Sequence, residues 1–408
     1  MKRNMRLNVL LSGLVLLVVC TSVPLRAQQP SAFTLSPATR HGLPSLPGRV
    51  APGSDGAPVT TPHWTSNFRS THDTGLEGQS AVYNQPTNTM IVFGGLSIAG
   101  FDDTNAVLLY APATGDGLWS TLIPNGTAGS PAARDSHTAV YDSANNWMIV
   151  FGGQLFSSGT PLNDVWVLSN ANGQGGPATW TQLSPSGTLP AARGLHTAVY
   201  DPATNVMTIF GGFGSNGLGL SDVWVLSHAN GLGGTPAWTK LLPSGGPPSG
   251  GYGSSAVYDS TNNIMTVFAG ANHTVTASTN GVWTLSHANG VGGTPQWTNI
   301  VANGAAGSPA KRESPTAVYD VANNRMIIFG GSPFPDLGAF NDVWVLANAN
   351  GLGTPAWTKL RPTGVLPGTR FFHTAVYDTI NNQMMVFGGD NDEAVYFVTW
   401  VLSDANGL

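Results

Sequence analysis

The chain has 408 residues, of which 52 are Gly, 29 are Pro and 12 are Trp, while only 9% are charged. This composition is typical of many short strands joined by turns around an aromatic interior, and it does not favour long amphipathic helices. The formal net charge is −5, and the only lysines after residue 27 are Lys240, Lys311 and Lys359. The chain therefore has no basic stripe of the kind that binds nucleic acid or an anionic membrane.

The N-terminus is typical of a secretory signal peptide. Basic residues precede an apolar run from Leu7 to Cys20, and Ala27 offers a cleavage point. The run is short for a membrane span, so we predict a signal peptide over residues 1–27 and a secreted or extracytoplasmic protein. Cleavage there removes the single cysteine, so that no disulfide can form. It also removes four of the 16 basic residues, which leaves 12 against 21 acidic ones.

Two further features precede the repeats. Residues Leu17 to Cys20 resemble a lipobox, so a lipid anchor at Cys20 is an alternative, although Val19 stands where that motif requires a small residue. Residues 28–62 are rich in Pro, Gly and Ser and have no apolar period, which predicts a flexible linker.

One unit recurs six times in the rest of the chain. The tripeptide Ala-Val-Tyr marks each copy, with its tyrosines at Tyr83, Tyr141, Tyr200, Tyr258, Tyr319 and Tyr377. Such regular self-similarity indicates a repeat architecture in which each unit is one supersecondary structure.

Each unit predicts four strands. The stretch His-Thr-Ala-Val-Tyr-Asp is the first, and an Asn-rich turn leads to a second, apolar strand that ends in paired glycines. A variable loop precedes the third strand, Asp-Val-Trp-Val-Leu, and an Ala-Asn-Gly loop leads to a fourth strand marked by Trp. The fourth-strand tryptophans are Trp119, Trp180, Trp238, Trp297 and Trp357.

A sixth fourth strand is predicted at the other end of the sequence. His63-Trp64-Thr65 precedes the first unit and matches the fourth-strand pattern. We therefore predict an all-β fold over residues 63–408, a six-bladed β-propeller with four antiparallel strands per blade. The N-terminal strand closes the ring in the last blade, which removes exposed sheet edges.

The repeat resembles the Kelch repeat. Phe-Gly-Gly ends the second strand in five copies, and a Val-Trp pair and a later Trp follow it, so the resemblance covers residues 63–408. The fourth copy departs with Phe268-Ala269-Gly270, and the first has Val107-Leu108-Leu109 where Val-Trp is expected. The resemblance implies a propeller of the galactose oxidase superfamily. It also implies that the loops before the first strand and after the second share the face that binds partners.

Four arginines occupy the same position before the first strand: Arg134, Arg193, Arg312 and Arg370. Their guanidinium groups could converge on a carboxylate, or each could tie its loop to a neighbouring blade. The first strands of three of these units begin with His137, His196 and His373, which we interpret as hydrogen-bonded strand ends rather than metal ligands.

Residues that break the repeat are further candidates. The loops after the second strands carry Phe156, Phe213, Phe334 and Tyr396, together with Asp102, Asp103, Phe340 and the acidic run 390–393. Aromatic rings on a rigid frame suit a protein or sugar partner, and the alternative is that they pack their own loops.

These features predict a secreted, noncatalytic scaffold that binds a protein or a glycan, with an acidic ligand as one option. We assign no catalytic residue, no cofactor and no metal, because the sequence has no nucleophile motif, no phosphate-binding loop and no acid/base pair outside the repeated positions. A copper site of the galactose oxidase type needs a cysteine that the mature chain lacks. One alternative is a carbohydrate-active enzyme resembling the Kelch sialic acid epimerases (mutarotases), and another is a purely structural module. The sequence does not indicate an oligomeric state.

Overall fold

The computed structural model describes residues 61–67, 75–97, 102–112, 117–274 and 276–408. All of them belong to one compact unit, Thr60–Leu408. The predicted signal peptide, and the predicted linker up to residue 60, lie outside the described residues. Within the described ranges the elements are all strands, and no helix there is long and apolar enough to cross a membrane.

The first half of the chain contributes twenty strands. In chain order they are β1 (His63–Asn67), β2 (Leu76–Glu77), β3 (Ser80–Asn84), β4 (Thr89–Phe93), β5 (Leu96–Ser97), β6 (Asp102–Asp103), β7 (Val107–Ala111), β8 (Leu118–Ile123), β9 (Thr138–Asp142), β10 (Trp147–Phe151), β11 (Gln154–Leu155), β12 (Thr160–Pro161), β13 (Val165–Ser169), β14 (Thr179–Leu183), β15 (Arg193–Gly194), β16 (Thr197–Asp201), β17 (Val206–Phe210), β18 (Phe213–Gly214), β19 (Val223–Ser227) and β20 (Ala237–Leu241).

The second half continues the pattern. Its strands are β21 (Gly250–Tyr252), β22 (Ser255–Asp259), β23 (Ile264–Phe268), β24 (Ala271–Asn272), β25 (Val282–Ser286), β26 (Gln296–Val301), β27 (Thr316–Asp320), β28 (Arg325–Phe329), β29 (Val343–Ala347), β30 (Ala356–Lys359), β31 (Thr363–Gly364), β32 (Thr374–Asp378), β33 (Gln383–Phe387) and β34 (Thr399–Ser403).

Among the described residues, six antiparallel sheets have four long strands each. Sheet 1 is β3-β4-β7-β8, sheet 2 is β9-β10-β13-β14, sheet 3 is β16-β17-β19-β20, sheet 4 is β22-β23-β25-β26, sheet 5 is β27-β28-β29-β30 and sheet 6 is β32-β33-β34-β1. The short β31 lies parallel to β1 at the outer edge of sheet 6. Each sheet corresponds to one predicted unit, so the four-stranded unit is confirmed.

The burial of the strands explains how the sheets are arranged. The first strands alternate between buried and half-buried residues, as in Ser80–Asn84, whereas the second strands are apolar and buried along their length, as in Thr89–Phe93. Neighbouring first strands contact each other in the cyclic order β3, β9, β16, β22, β27, β32 and back to β3. The first strands therefore surround a central axis, and the all-β propeller is confirmed.

The N-terminal strand closes the ring as predicted. Strand β1 pairs antiparallel with β34 over five residue pairs, from His63 opposite Ser403 to Asn67 opposite Thr399. Trp64 is 2% exposed, and its ring packs 5.2 Å from that of Phe329 in sheet 5. The other fourth-strand tryptophans pack in the same way on the Phe of the preceding sheet, with Trp119 on Phe387, Trp180 on Phe93, Trp238 on Phe151, Trp297 on Phe210 and Trp357 on Phe268.

The repeated aspartates at the ends of the first strands cap turns and also join sheets. Asp142 accepts hydrogen bonds from Asn145 in its own turn and from the Asn230 side chain in the next sheet, the latter at 2.7 Å. The same inter-sheet bond joins Asn289 to Asp201, Asn350 to Asp259 and Asn406 to Asp320, and Gln85 of sheet 1 takes the donor role toward Asp378 of sheet 6.

Candidate functional site

The four predicted arginines lie inside their own sheets and are 0% exposed. In each, Nη1 donates to the carbonyl of the first glycine after the second strand, at 2.8–3.0 Å. Three of the guanidinium groups also hold a carboxylate through both terminal nitrogens. These pairs are Arg134 with Asp164, Arg193 with Asp222 and Arg312 with Asp342, with shortest distances of 2.6, 2.7 and 2.7 Å.

The geometry of these three arginines favours the architectural interpretation, with one difference. Each pair ties the loop before the first strand to the start of the third strand of the same sheet, not to a neighbouring sheet. Arg134, Arg193 and Arg312 are thereby saturated by carboxylate and carbonyl oxygens. They do not converge on a common ligand.

Arg370 is bound differently. Val398 stands where the other three sheets have the aspartate, and Nη2 of Arg370 is buried without a hydrogen-bond partner. The ring of Tyr396 lies 4.1 Å from the guanidinium carbon. Burial lowers the pKa of Arg370 to about 10.

The three predicted histidines join neighbouring sheets at the axis. The Nε2 atoms of His137, His196 and His373 lie 2.7, 2.7 and 2.8 Å from hydroxyl oxygens of the preceding sheet, those of Ser80, Thr138 and Thr316. Burial, with a contribution from the nearby Arg134, lowers the pKa of His137 to about 3, and burial lowers the pKa values of His196 and His373 well below the usual value. In the described part of the chain, no three acidic, His or Cys groups are placed to hold a metal ion.

The histidine position has a counterpart in all six units. The residues directly before it form a closed arrangement of backbone that we call the axial ring: Gly78, Ser136, Leu195, Gly253, Ser314 and Phe372. All six have a left-handed backbone, with φ between 51° and 66°. Five N–H groups donate to the carbonyl of the ring residue in the preceding sheet, at 2.6–2.9 Å. The four non-glycine members each carry a conformational cost of about 1–2 kcal/mol, which the hydrogen bonds between sheets offset.

A cavity of about 120 Å³ lies at the axial ring. Its walls are the axial ring itself and the residue that follows each member, namely Gln79, His137, His196, Ser254, Pro315 and His373. Pockets for small-molecule ligands usually have roughly 300–1,000 Å³, so this cavity suits a few water molecules better than a sugar.

Carboxyl groups and a tyrosine stand immediately beside the axial ring, and we call Glu77, Asp103, Asp135, Tyr252 and Glu313 the mouth. Burial raises the pKa of Glu313 to about 7. Burial also raises the pKa of Asp135, and burial together with the neighbouring Asp135 raises the pKa of Asp103, so the surroundings disfavour ionisation of both carboxyl groups at once.

The aromatic residues predicted in the loops are half-buried and contact neighbouring groups. The N–H of Phe156 donates to Asp103, the ring of Phe213 packs 5.6 Å from that of Tyr252, and the carbonyl of Phe334 accepts from Ser278 of sheet 4. Tyr396 covers Arg370. The rings of Phe213 and Tyr396 therefore pack against neighbouring side chains, whereas Phe156 and Phe334 are tied in through their backbone, and all four side chains stay partly open to solvent.

Sequence reasoning missed most of the mouth. Its residues at Glu77, Asp135, Tyr252 and Glu313 directly follow the repeated arginine position, where Gly194 and Phe371 stand in the other two units. The residue type at this position varies between units, while the positions on either side of it repeat. That contrast is the sequence signal that could have identified it.

Comparison with known proteins agrees with this architecture. A family model described as the KLHDC2/KLHL20/DRC7 Kelch-repeats domain matches residues 59–231. Host cell factor 2 of Homo sapiens is 35% identical over 139 residues, which are 31% of this chain and 16% of that protein. An F-box/kelch-repeat protein of Arabidopsis thaliana is 27% identical over 64% of this chain and 56% of its own length.

Among solved structures, that of YjhT superposes with a TM-score of 0.58 and 16% identity, covering 80% of this chain and 94% of that one. This likeness concerns the fold. The matched part is a small fraction of the host cell factor, so the activity and partners of that whole protein do not transfer to this chain.

Proposed function

Because this chain is a Kelch-repeat β-propeller, we propose that it is a noncatalytic scaffold that binds a protein partner through the face that carries the mouth. Kelch proteins bind protein partners. The observation that carries the proposal is the contrast between a repeated frame and variable side chains. The sheets hold equivalent backbone positions around the axis, while the mouth and the loops after the second strands differ from sheet to sheet.

Exposed apolar side chains on these loops support a protein partner. Leu218, Leu337 and Phe397 lie in the loops after the second strands of sheets 3, 5 and 6, and they are 39%, 73% and 41% exposed. Together with the half-buried aromatic rings nearby, they provide the mixed apolar and polar surface that protein interfaces use.

The experiment compares two triple variants of the full chain. One changes Leu218, Leu337 and Phe397 to Ser, and the matched control changes Leu232, Val291 and Leu352, which are exposed in the loops between third and fourth strands, to Ser. A partner retained by the wild type and the control but lost by the first variant, at equal melting temperatures, supports the proposal. Retention by the first variant, with loss by the control, would place binding on the opposite face.

A second candidate function is a carbohydrate-active enzyme, and the neighbouring carboxyl groups of Asp103 and Asp135, whose pKa values are both raised, favour it. Two adjacent carboxyl groups held near neutrality can act as general acid and general base. The test is NMR of anomer exchange on an acidic sugar such as sialic acid, with the wild type and Asp135→Asn. Faster exchange with the wild type alone supports catalysis, and unchanged exchange with both proteins rejects it.

We also propose that the protein is secreted after cleavage behind Ala27, because basic residues followed by an apolar run are typical of a signal peptide. N-terminal sequencing of the protein recovered outside the cytoplasm tests this. A mature N-terminus at Gln28 supports the proposal, while a lipidated Cys20 supports the alternative anchor.

A further inference from the structure

The arginine before the first strand and the aspartate before the third strand occur together in three of the six sheets. Sheets 2, 3 and 5 have both, in the pairs that start with Arg134, Arg193 and Arg312. Sheets 1 and 4 have neither, because Leu76 and Gly251 replace the arginine while Ala106 and Gly281 replace the aspartate. Sheet 6 alone among the six keeps the arginine, Arg370, with Val398 in place of its partner.

Apart from the missing carboxylate, the guanidinium group of Arg370 makes the same hydrogen bonds to backbone carbonyls as the arginines of sheets 2, 3 and 5. Its Nε donates to the carbonyl of Gly368 at 3.1 Å, and its Nη1 donates to that of Gly388 at 2.9 Å. Arg312 makes the equivalent bonds at 2.9 and 2.8 Å. Phe340 covers Arg312 at 4.2 Å as Tyr396 covers Arg370, so an aromatic ring over the flat face is compatible with a carboxylate at the edge.

A tryptophan supplies a second donor at the same place. In sheets 2, 3 and 5 the indole N–H of the third strand donates to the aspartate, at 2.7, 2.8 and 2.8 Å. Trp400 occupies this position in sheet 6, where it lies opposite Val386 as Trp344 lies opposite Ile328. Among the described residues, neither the Trp400 indole nor Nη2 of Arg370 has an acceptor.

We propose that sheet 6 binds the carboxylate group of a ligand, seated between the guanidinium edge of Arg370 and the indole N–H of Trp400. The protein itself shows the bound arrangement three times, since Asp164, Asp222 and Asp342 make these contacts in sheets 2, 3 and 5. Their side chains are 16–24% exposed, and Val398 at the equivalent position of sheet 6 is half-buried, so this position lies at the edge of the solvent-accessible surface. A buried guanidinium with an unpaired edge is costly, and a carboxylate satisfies it bidentately.

This inference is independent of the protein-scaffold proposal, because the carboxylate can come from a small molecule or from a protein side chain. The experiment measures melting temperatures of the full chain in about 100 mM sodium acetate against the same concentration of sodium chloride. We expect acetate to raise the wild-type melting temperature by roughly 2 °C relative to chloride.

Two variants of sheet 6 test the proposed carboxylate site between Arg370 and Trp400. Val398→Asp should melt at or above the wild-type temperature in chloride and lose the acetate response, because the new carboxylate takes the seat. Arg370→Met should also lose the response. A wild type that does not distinguish acetate from chloride, or a Val398→Asp protein that still responds to acetate, would overturn the proposal.

A matched control in sheet 5 uses the same chemistry. Asp342→Val reproduces the sheet 6 arrangement at Arg312, so it should melt below the wild type in chloride and recover part of the loss in acetate. An Asp342→Val protein that acetate does not rescue would show that the frame does not accept an external carboxylate, and this result counts against the proposal.

A further experiment distinguishes a carboxylate of a protein side chain from that of a small molecule. A blocked peptide with one Asp among Gly and Ser is compared with its Asn counterpart and with acetate by calorimetry. Binding of the Asp peptide about tenfold tighter than acetate indicates a protein partner, and equal affinity indicates a small carboxylate.

Discussion

At the scale of single residues, burial at the axis disfavours the charged forms of ionisable groups. It lowers the pKa of the sheet-bridging His137 and raises the pKa values of Glu313, Asp103 and Asp135. Their effects on stability run in opposite directions with pH. Histidine protonation opposes folding in acid, whereas carboxyl ionisation opposes folding near neutral pH.

His137 provides the acid-side prediction. Its pKa is about 3 in the folded protein against 6.5 for an ordinary histidine, so only the unfolded chain takes up this proton, and stability falls as the pH decreases below about 6.5. Between pH 6.5 and 5 the loss is about 2 kcal/mol. His137→Gln should therefore melt slightly below the wild type at pH 7 and approach or exceed it at pH 5.

Gln79 makes this substitution a mild one, because it occupies the same position in sheet 1 and donates to the carbonyl of Phe387 at 3.0 Å. Thermal melts from pH 4.5 to 7.5 give the result. Parallel melting curves of the two proteins across this range would show that His137 takes no part in the acid sensitivity.

Glu313 provides the neutral-side prediction. Its pKa of about 7 lies above the ordinary glutamate value of 4.5, so the folded protein holds a proton that the unfolded chain has lost, and stability decreases as the pH rises from about 4.5 to 7. Glu313→Gln imitates the protonated side chain. It should raise the melting temperature by roughly 3 °C at pH 8 and by much less at pH 5.

The exposed Glu393 serves as the control for this prediction. Glu393→Gln should leave the difference between pH 8 and pH 5 near the wild-type value. A similar gain from Glu313→Gln at both pH values would point to packing rather than to ionisation.

At the scale of one sheet, the arginine–aspartate pair connects the loop before the first strand to the start of the third strand, in a domain without cysteines for a disulfide. Asp222→Ala should leave Arg193 buried and unpaired, and such a loss of one partner costs about 3–5 kcal/mol. In sheet 1 apolar residues occupy these two positions, Leu76 in place of the arginine and Ala106 in place of the aspartate. The double variant Arg193→Leu with Asp222→Ala should therefore be more stable than Asp222→Ala alone.

Urea unfolding of both variants measures the difference. If the double variant is the less stable protein, Arg193 contributes through its bonds to the carbonyls of Gly211 and Ala191 more than through the ion pair.

The strands were predictable from the sequence because they depend on local patterns. Alternation in Thr197–Asp201 and the continuous apolar run in Val206–Phe210 identify first and second strands without knowledge of their neighbours. The arginine partners were not predicted, because Arg134 and Asp164 are 30 residues apart and meet only when the loop between second and third strand folds back. Their joint absence from sheets 1 and 4 was nevertheless readable in the sequence.

For the candidate site, the sequence predicted on which face of the propeller it lies but not which residues form it. Repetition identified which loops share that face, but periodic residues such as Arg193 and His196 belong to the frame. The mouth consists mostly of residues at one repeated position whose residue type changes from unit to unit, such as Tyr252 and Glu313. Their proximity depends on the curvature of the ring, which no local pattern encodes.

At the scale of the whole molecule, ring closure depends on Trp64. This side chain is 2% exposed and lies between Phe329 of sheet 5 and Trp400 of sheet 6. Truncation of such a buried tryptophan costs about 3–5 kcal/mol. Trp64→Ala should lower the melting temperature and promote aggregation, because the freed edge of β34 can pair with other chains.

Leu118→Ala is a suitable control, since Leu118 also belongs to a fourth strand but is 66% exposed. Melting and light scattering of the two variants measure the effect. Equal behaviour of Trp64→Ala and Leu118→Ala would mean that β1 is not needed to hold sheet 6 closed.

The pairing of β1 with β34 also determines how the ring responds to mechanical load. His63 lies opposite Ser403, so the segment that precedes β1 and the segment that follows β34 leave the sheet at the same end. Tension between these two segments would unzip the strands one residue pair at a time, instead of shearing all five pairs together. A pull on both ends would therefore open the propeller at its seam under low force, before any other sheet is strained.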